Sequence, residues 1–180
     1  HLTPSVIQAM KHIFSKAGVG YTFIDEQDGI CCGRPMMLSG NQSAASVIVE
    51  KNKAIIENSG AELLVTSCPI CYKTFKEEYG LSMQIMHHTE YIDYLISNNI
   101  LKTTVSDDKT VFHNPCELGR GSEVYAAPER VLRQVSRKLA TRYDGKDSLC
   151  CGGSLANNHI STEQKSHIAA DAVAAYAAYR

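Results

Sequence analysis

The sequence predicts an α/β protein built from two similar units with mostly parallel sheets, related by internal duplication. Three observations carry that expectation. Stretches of helical period alternate with short apolar stretches of strand period, and the connections between them are short. A Cys-Cys-Gly occurs at Cys31-Cys32-Gly33 and again at Cys150-Cys151-Gly152, 119 positions later. Aligned on those pairs, "VIQAMKHIFSKAGVGYTFIDEQDGICC" and "YAAPERVLRQVSRKLATRYDGKDSLCC" share one layout without a gap, the mark of one unit used twice.

Taken in order, "TPSVIQAMKHIFSKAG" (3–18) opens with Thr3-Pro4 and spaces Val6, Met10, Ile13 and Phe14 as one helical face. "VGYTFID" (19–25) alternates like a strand and runs into an acidic turn. "SAASVIVEKNKAIIENSG" reads as a helix closed by Gly60, and "AELLVTS" as a buried strand delivering Cys68 and Cys71. "CYKTFKEEY" continues as a helix, and "LSMQIMHHTEYIDYLISNN" supplies another strand and helix. The cycle restarts at "KTVFHNPCELG" (109–119), a strand ending at Asn114-Pro115. "APERVLRQVSRKL" reads as a helix and "ATRYDGKDSLCC" as a strand, an acidic turn and the second pair. "GGSLANNHISTEQKSHIAADAVAAYAAYR" matches the polar loop and long helix after residue 32. The first unit spans 1–105 and the second 106–180. Cysteines fall where strands end and helices begin, the edge at which open, Rossmann-like sheets place ligands.

Composition narrows the chemistry. With 180 residues, 44% apolar and a formal net charge of −1, the chain has enough interior to fold and no electrostatic footprint for nucleic acid. No apolar run approaches the roughly 20 residues that span a bilayer, and no signal peptide is visible. Seven cysteines stand out: Cys31, Cys32, Cys68, Cys71, Cys116, Cys150 and Cys151. Adjacent Cα atoms lie about 3.8 Å apart, below the usual disulfide range of about 4.4–6.8 Å, so neither pair makes a good internal bridge. Paired thiolates for metal fit better.

The repeat also marks expected counterparts outside the chain. That of Cys116 falls four residues before His1, and those of Cys68 and Cys71 fall seven and ten residues past Arg180. The sequence therefore reads as a piece of a longer protein whose full unit is Cys-x33-Cys-Cys-x35-Cys-x2-Cys. Five thiolates, two of them adjacent, exceed the tetrahedral needs of one zinc ion and suit a polynuclear centre. Iron–sulfur, structural zinc and a thiol–disulfide site all stay open on the residues alone.

The stretches "CCGRP", "VTSCPICYKTF", "HNPCELGRG", "VYAAPERVL" and "CCGG" resemble the cysteine-rich CCG domain. That domain occurs twice in the B-type subunit of heterodisulfide reductase and in the iron–sulfur subunits of glycolate oxidase and lactate-utilisation proteins. The resemblance implies an iron–sulfur electron-transfer subunit of an oxidoreductase complex, with five cysteines per motif holding a [4Fe–4S] cluster. It assigns Cys31, Cys32, Cys68 and Cys71 to the last four ligands of the first motif. Cys116, Cys150 and Cys151 become the first three of the second. With one ligand missing from the first motif and two from the second, the chain alone is expected to hold zinc or nothing in place of a cluster.

Around the cysteines, His113 could donate to a cluster sulfur, and Arg34 and Arg120 could place positive charge beside a reduced cluster. Gly33, Gly152 and Gly153 allow close backbone approach. His87 and His88 read as structural, since neighbouring side chains diverge on a strand. No flavin or nicotinamide fingerprint occurs, so the chain is not self-sufficient as an enzyme. The expected partners are a flavoprotein or other iron–sulfur subunits of a redox complex. The expected location is the cytoplasm, or the inner-membrane surface through a partner subunit. The alternative function is a structural zinc module organising partner subunits.

Overall fold

The computed structural model describes residues 4–28, 31–140, 145–153 and 159–178. In the first half, α1 (Pro4–Lys16), α2 (Asp25–Asp28), α3 (Arg34–Leu38) and α4 (Gln42–Asn58) precede β1 (Leu63–Thr66), α5 (Pro69–Glu78), β2 (Gln84–His87) and α6 (His88–Ser97). In the second, β3 (Ser106–Val111), α7 (Gly119–Ser122), α8 (Ala126–Val135) and β4 (Ser136–Ala140) lead through a 3-10 turn at Gly145–Asp147 to α9 (Thr162–Ala177). β1 pairs with β2 and β3 with β4, each in parallel across a helix, so each half is built on a βαβ unit. The α/β class and the duplicated, Rossmann-like arrangement hold.

The helices form where the sequence supplies ends for them. Pro4 opens α1, and Asn41 caps α4 by accepting the Ala44 N–H at 3.2 Å. α9 starts with a reciprocal box: Ser161 Oγ accepts from Gln164 N at 3.1 Å, and Gln164 Oε1 accepts from Ser161 N at 2.8 Å. On α4 the buried positions are Ala45, Val49, Asn52 and Ile56, a single stripe at helical spacing.

The duplication is visible in the turns. Gly33 and Gly152, each following a cysteine pair, adopt positive φ of 86° and 74°. A Cβ on Gly33 would meet Ile48 Cγ2 at 3.6 Å, and one on Gly152 would meet Ile168 Cγ2 at 3.4 Å. Each glycine therefore lies against the long helix that follows it. The equivalence shifts from 119 to 120 positions between glycine and isoleucine, so the second loop is one residue longer.

Two elements differ from the sequence expectation. The stretch 19–25 forms no strand among the described residues: residues 19–23 carry no regular secondary structure, and Asp25–Asp28 turns helical. Its alternation is real, but a strand needs a ladder of hydrogen bonds to a neighbouring strand, and the stretch joins neither of the two sheets among the described residues. The helix expected over 127–139 stops at Val135, where Ser136 takes extended dihedrals and opens β4. Ser136 pairs with Ser106, and its hydroxyl donates to Thr110 Oγ1 at 3.0 Å, so tertiary pairing overrides helix propensity there. Of the strand expected from Ala140 onward, 141–144 lie outside the described residues.

The halves pack through apolar and polar contacts. Tyr72 of α5 is buried with Leu118 and Val124, and Ile85 of β2 packs against them. α6 lies on α8, where Arg130 donates in bidentate fashion to Asp93 at 2.6–3.1 Å. Lys73 Nζ reaches from α5 to the Gly121 carbonyl at 2.7 Å while pairing with Glu77.

Candidate metal centre

Chain topology brings three of the first four cysteines together. Cys68 ends the turn after β1, Cys71 lies in the first turn of α5, and Cys32 precedes α3 from the other side. Hydrogen bonding from the Cys71 thiol pulls both Cys32 and Cys68 down to about 6, against the opposing push of burial. Cys71 is itself driven strongly upward, by hydrogen bonding to Cys32 and Cys68 and then by burial. The Arg34 N–H and Thr74 hydroxyl add to the effect at Cys32. Cys68 is the N-cap of α5 without closing a side-chain cap hydrogen bond, yet the first-turn N–H groups of Cys71 and Ile70 favour its thiolate.

Cys31 sits at the rim with its side chain exposed, close enough to act electrostatically on the Tyr79 hydroxyl. Its backbone is held from inside: Asn52 Nδ2 donates to the Cys31 carbonyl at 2.9 Å and to Tyr79 Oη at 2.9 Å, and Tyr79 donates to the Cys32 carbonyl at 3.1 Å. Asn52 and Tyr79, 7% and 2% exposed, thus tie the cysteine pair to α4 and to the end of α5. The sequence reading did not single them out. An asparagine on an otherwise apolar helix stripe was the available signal.

The second group is looser. Burial raises the Cys116 thiol, helped by the charges of Glu117, Cys150 and Cys151, so the three thiols lie within electrostatic reach of one another. Cys150 and Cys151 are exposed, and Cys150 Sγ accepts the Gly152 N–H at 3.4 Å. Gly153 lies against Cys151, where a Cβ would approach Sγ to 3.6 Å. All seven cysteines are free.

A polar clamp joins the two loops of this group. His113 Nε2 donates to the Leu149 carbonyl at 2.9 Å and its ring meets Tyr176 edge-on. Arg120 donates to the Ser148 and Lys146 carbonyls at 2.8 and 3.1 Å. Ser148 Oγ donates to the Asn114 carbonyl at 2.7 Å, and Tyr176 Oη accepts the Leu149 N–H at 3.2 Å. His113 and Arg120 thus grip the backbone before the pair, and Arg34 ion-pairs with Glu78 at 3.6 Å. Asn114, 1% exposed, keeps both side-chain amide atoms without partners among the described residues. His87 and His88 do not diverge as expected. His88 begins α6, and the two rings meet tilted at 55° with their centroids 4.3 Å apart.

Among the described residues, no three His, Cys, Asp or Glu side chains are set as a ready single-ion site. The donor chemistry fits a sulfur-ligated group: Cys32, Cys68 and Cys71 converge from segments 36 residues apart, and two of them favour the thiolate.

The sequence profile of the CCG cysteine-rich domain matches residues 1–76 and 110–179, and the chain belongs to that family. It is 28% identical over 150 residues to the EtfAB:quinone oxidoreductase of Syntrophomonas wolfei, covering 81% of this chain and 21% of that protein. It is 28% identical over 156 residues to a subunit of the dihydromethanophenazine:CoB–CoM heterodisulfide reductase of Methanosarcina acetivorans, covering 80% of this chain and 38% of that protein. It is 29% identical over 146 residues to the "Probable iron-sulfur-binding oxidoreductase FadF" of Bacillus subtilis, covering 78% and 21%. The chain thus spans between a fifth and two fifths of the length of these relatives. No solved structure gives a significant match. Among the described residues, no helix is long and apolar enough to cross a membrane.

Proposed function

We propose that the chain is the ligand-bearing part of an iron–sulfur electron-transfer subunit in an oxidoreductase complex. The observation that carries this reading is the convergence of the Cys32, Cys68 and Cys71 thiols from separate segments of a duplicated cysteine motif. Relatives named as a heterodisulfide reductase subunit and an iron–sulfur-binding oxidoreductase support it. Cys31, Cys32, Cys68 and Cys71 would hold one [4Fe–4S] cluster, and Cys116, Cys150 and Cys151 part of another. The first unit would run over 1–105 and the second over 106–180. When bound, a cluster supplies one-electron storage.

The chain's own groups do the holding. Thiolates at Cys32 and Cys68 present soft anionic donors at neutral pH, and loading releases the Cys71 proton. The Asn52–Tyr79 pair and the His113–Arg120 clamp fix the backbone that aims Cys31–Cys32 and Cys150–Cys151. The electrons would come from a partner flavoprotein or a further iron–sulfur subunit, working in the cytoplasm or at the membrane face.

The test is anaerobic purification of the full gene product with iron, sulfide and zinc analysis. Brown protein with about four irons per complete five-cysteine motif is expected. In the same preparation, Cys68→Ser should remove the iron of one motif. Colourless protein with stoichiometric zinc would replace this reading with the structural zinc module.

A further inference from the structure

Between α1, α6 and α8 runs an open groove of about 760 Å³ that contains none of the cysteines. α6 forms its floor with Ile92 and Ile96, α1 supplies Ile13, and α8 supplies Val131 and Val135. Both walls are tied to the floor: Phe14 of α1 meets Tyr91 edge-on at 5.7 Å, and Arg130 of α8 holds Asp93 at 2.6–3.1 Å. The stop of α6 builds one end of the groove. Asn99 takes φ of 58°, its N–H donates to the Ile96 carbonyl at 3.0 Å, and the Ile100 N–H donates to the Leu95 carbonyl at 2.9 Å. That left-handed helix stop turns residues 100–104 back to line the groove. Thr103 Oγ1 then donates to the Gln134 carbonyl of α8 at 3.5 Å.

The lining sorts by chemistry. Its apolar part is aliphatic, with no Phe, Tyr or Trp among the described residues, and Ile100 is 44% exposed to whatever enters. Such a surface offers an alkyl chain close packing and offers a planar ring nothing to stack on. The charged part is cationic: Lys16 ends α1, Lys102 follows α6, and no Asp or Glu lines the groove among the described residues. Neither lysine forms an ion pair with a described residue. α1, α6 and α8 all end here, and each helix end carries at most about half a negative charge, fading within a turn. Two full ammonium charges therefore leave this end positive. An apolar trough with a few polar groups at one end is the usual form of a small-ligand site, and its volume lies within the common range of about 300–1,000 Å³.

We propose that this groove binds a free single-chain amphiphile with an anionic head, of the alkyl carboxylate type. The chain lies along Ile92, Ile96 and Val131, and the carboxylate meets the ammoniums of Lys16 and Lys102. Burial of the chain supplies the affinity, and the two lysines set its direction and select the sign of the head. The site stands apart from the iron–sulfur reading, since no cysteine takes part in it.

The test is titration calorimetry of the full gene product with decanoate and dodecanoate, each below its micelle concentration. One saturable site per chain is expected, with dodecanoate bound about tenfold tighter, since each buried methylene is worth about fourfold. Dodecyltrimethylammonium, with the same chain and a cationic head, should bind about tenfold more weakly than dodecanoate. Lys16→Glu combined with Lys102→Glu should erase that preference, and Ile100→Asp should weaken both ligands. All three side chains are exposed, so circular dichroism and urea midpoints should match the parent. Equal binding of the two head groups by the parent overturns the proposal, as does dodecanoate binding untouched by the double variant. Absence of uptake overturns it too. A concentration-dependent dimer broken by Ile100→Asp would then name a second copy as the occupant.

Discussion

Cys71 governs the charge of its neighbours, and replacing it isolates that role. In Cys71→Ala, the Cys68 thiol loses the hydrogen bond that holds it near 6 and should move up toward its ordinary 9. Alkylation of Cys68 followed against pH by peptide mass spectrometry should shift its midpoint upward by at least about one unit, a change of about 1.4 kcal/mol. An unchanged midpoint would mean that backbone N–H groups alone hold the thiolate. His87 offers a second titration. It is 2% exposed, and burial, aided by His88, lowers it from 6.5 to about 4, with the Ser67 backbone acting the other way. The folded state then favours neutral His87, so its stability is fully present above 6.5 and is lost as pH falls from 6.5 through 4. The loss amounts to about 3 kcal/mol. Urea midpoints compared between pH 7 and pH 4.5 should converge partly in His87→Gln, whose side chain does not titrate.

At the scale of elements, the paired glycines make a controlled comparison. Both hold positive φ, so an alanine at either carries the left-handed strain of about 1–2 kcal/mol. Only at Gly152 would the added Cβ also strike backbone, the Lys165 carbonyl at 2.7 Å; at Gly33 the nearest atom is 3.6 Å away. Gly152→Ala should therefore lower the urea midpoint clearly more than Gly33→Ala. Equal losses would mean that α9 shifts freely. Much of this level was legible beforehand. Helical period and end signals marked α1 and α4, the repeat marked α9, and the apolar run over 61–67 marked the strand ahead of α5. Residues 19–25 misled because alternation records which faces are buried, not whether a neighbouring strand is present. Ser136 misled because its pairing with Ser106 is thirty residues distant. At the candidate site the cysteines announced themselves by type and spacing. Asn52, Tyr79, Ser148 and Tyr176 did not, because they act on backbone carbonyls and N–H groups that carry no side-chain signature.

For the molecule as a whole, the junction between halves decides whether they unfold together. Leu118 is 1% exposed and packs against Val124 of its own half and, across that junction, against Tyr72. Leu118→Ala should cost about 2–5 kcal/mol. Arg130→Ala removes a pair whose arginine is largely exposed and should cost about 1 kcal/mol or less. Calorimetry should show Leu118→Ala splitting or broadening the transition, with Arg130→Ala leaving it single. One sharp transition in Leu118→Ala would place the coupling elsewhere.

Lys73 gives the junction a further meaning. It lies two residues after Cys71 on α5, and its ammonium grips the Gly121 carbonyl, while the Gly121 N–H donates to the Cys116 carbonyl at 2.8 Å. A cysteine of each group is thereby joined to the other through one side chain and two hydrogen bonds. Under the iron–sulfur reading, ordering that bridge for one group would leave less disorder to remove when the other is filled. The two sites would then share part of their entropy, and loading the first would lower the cost of loading the second.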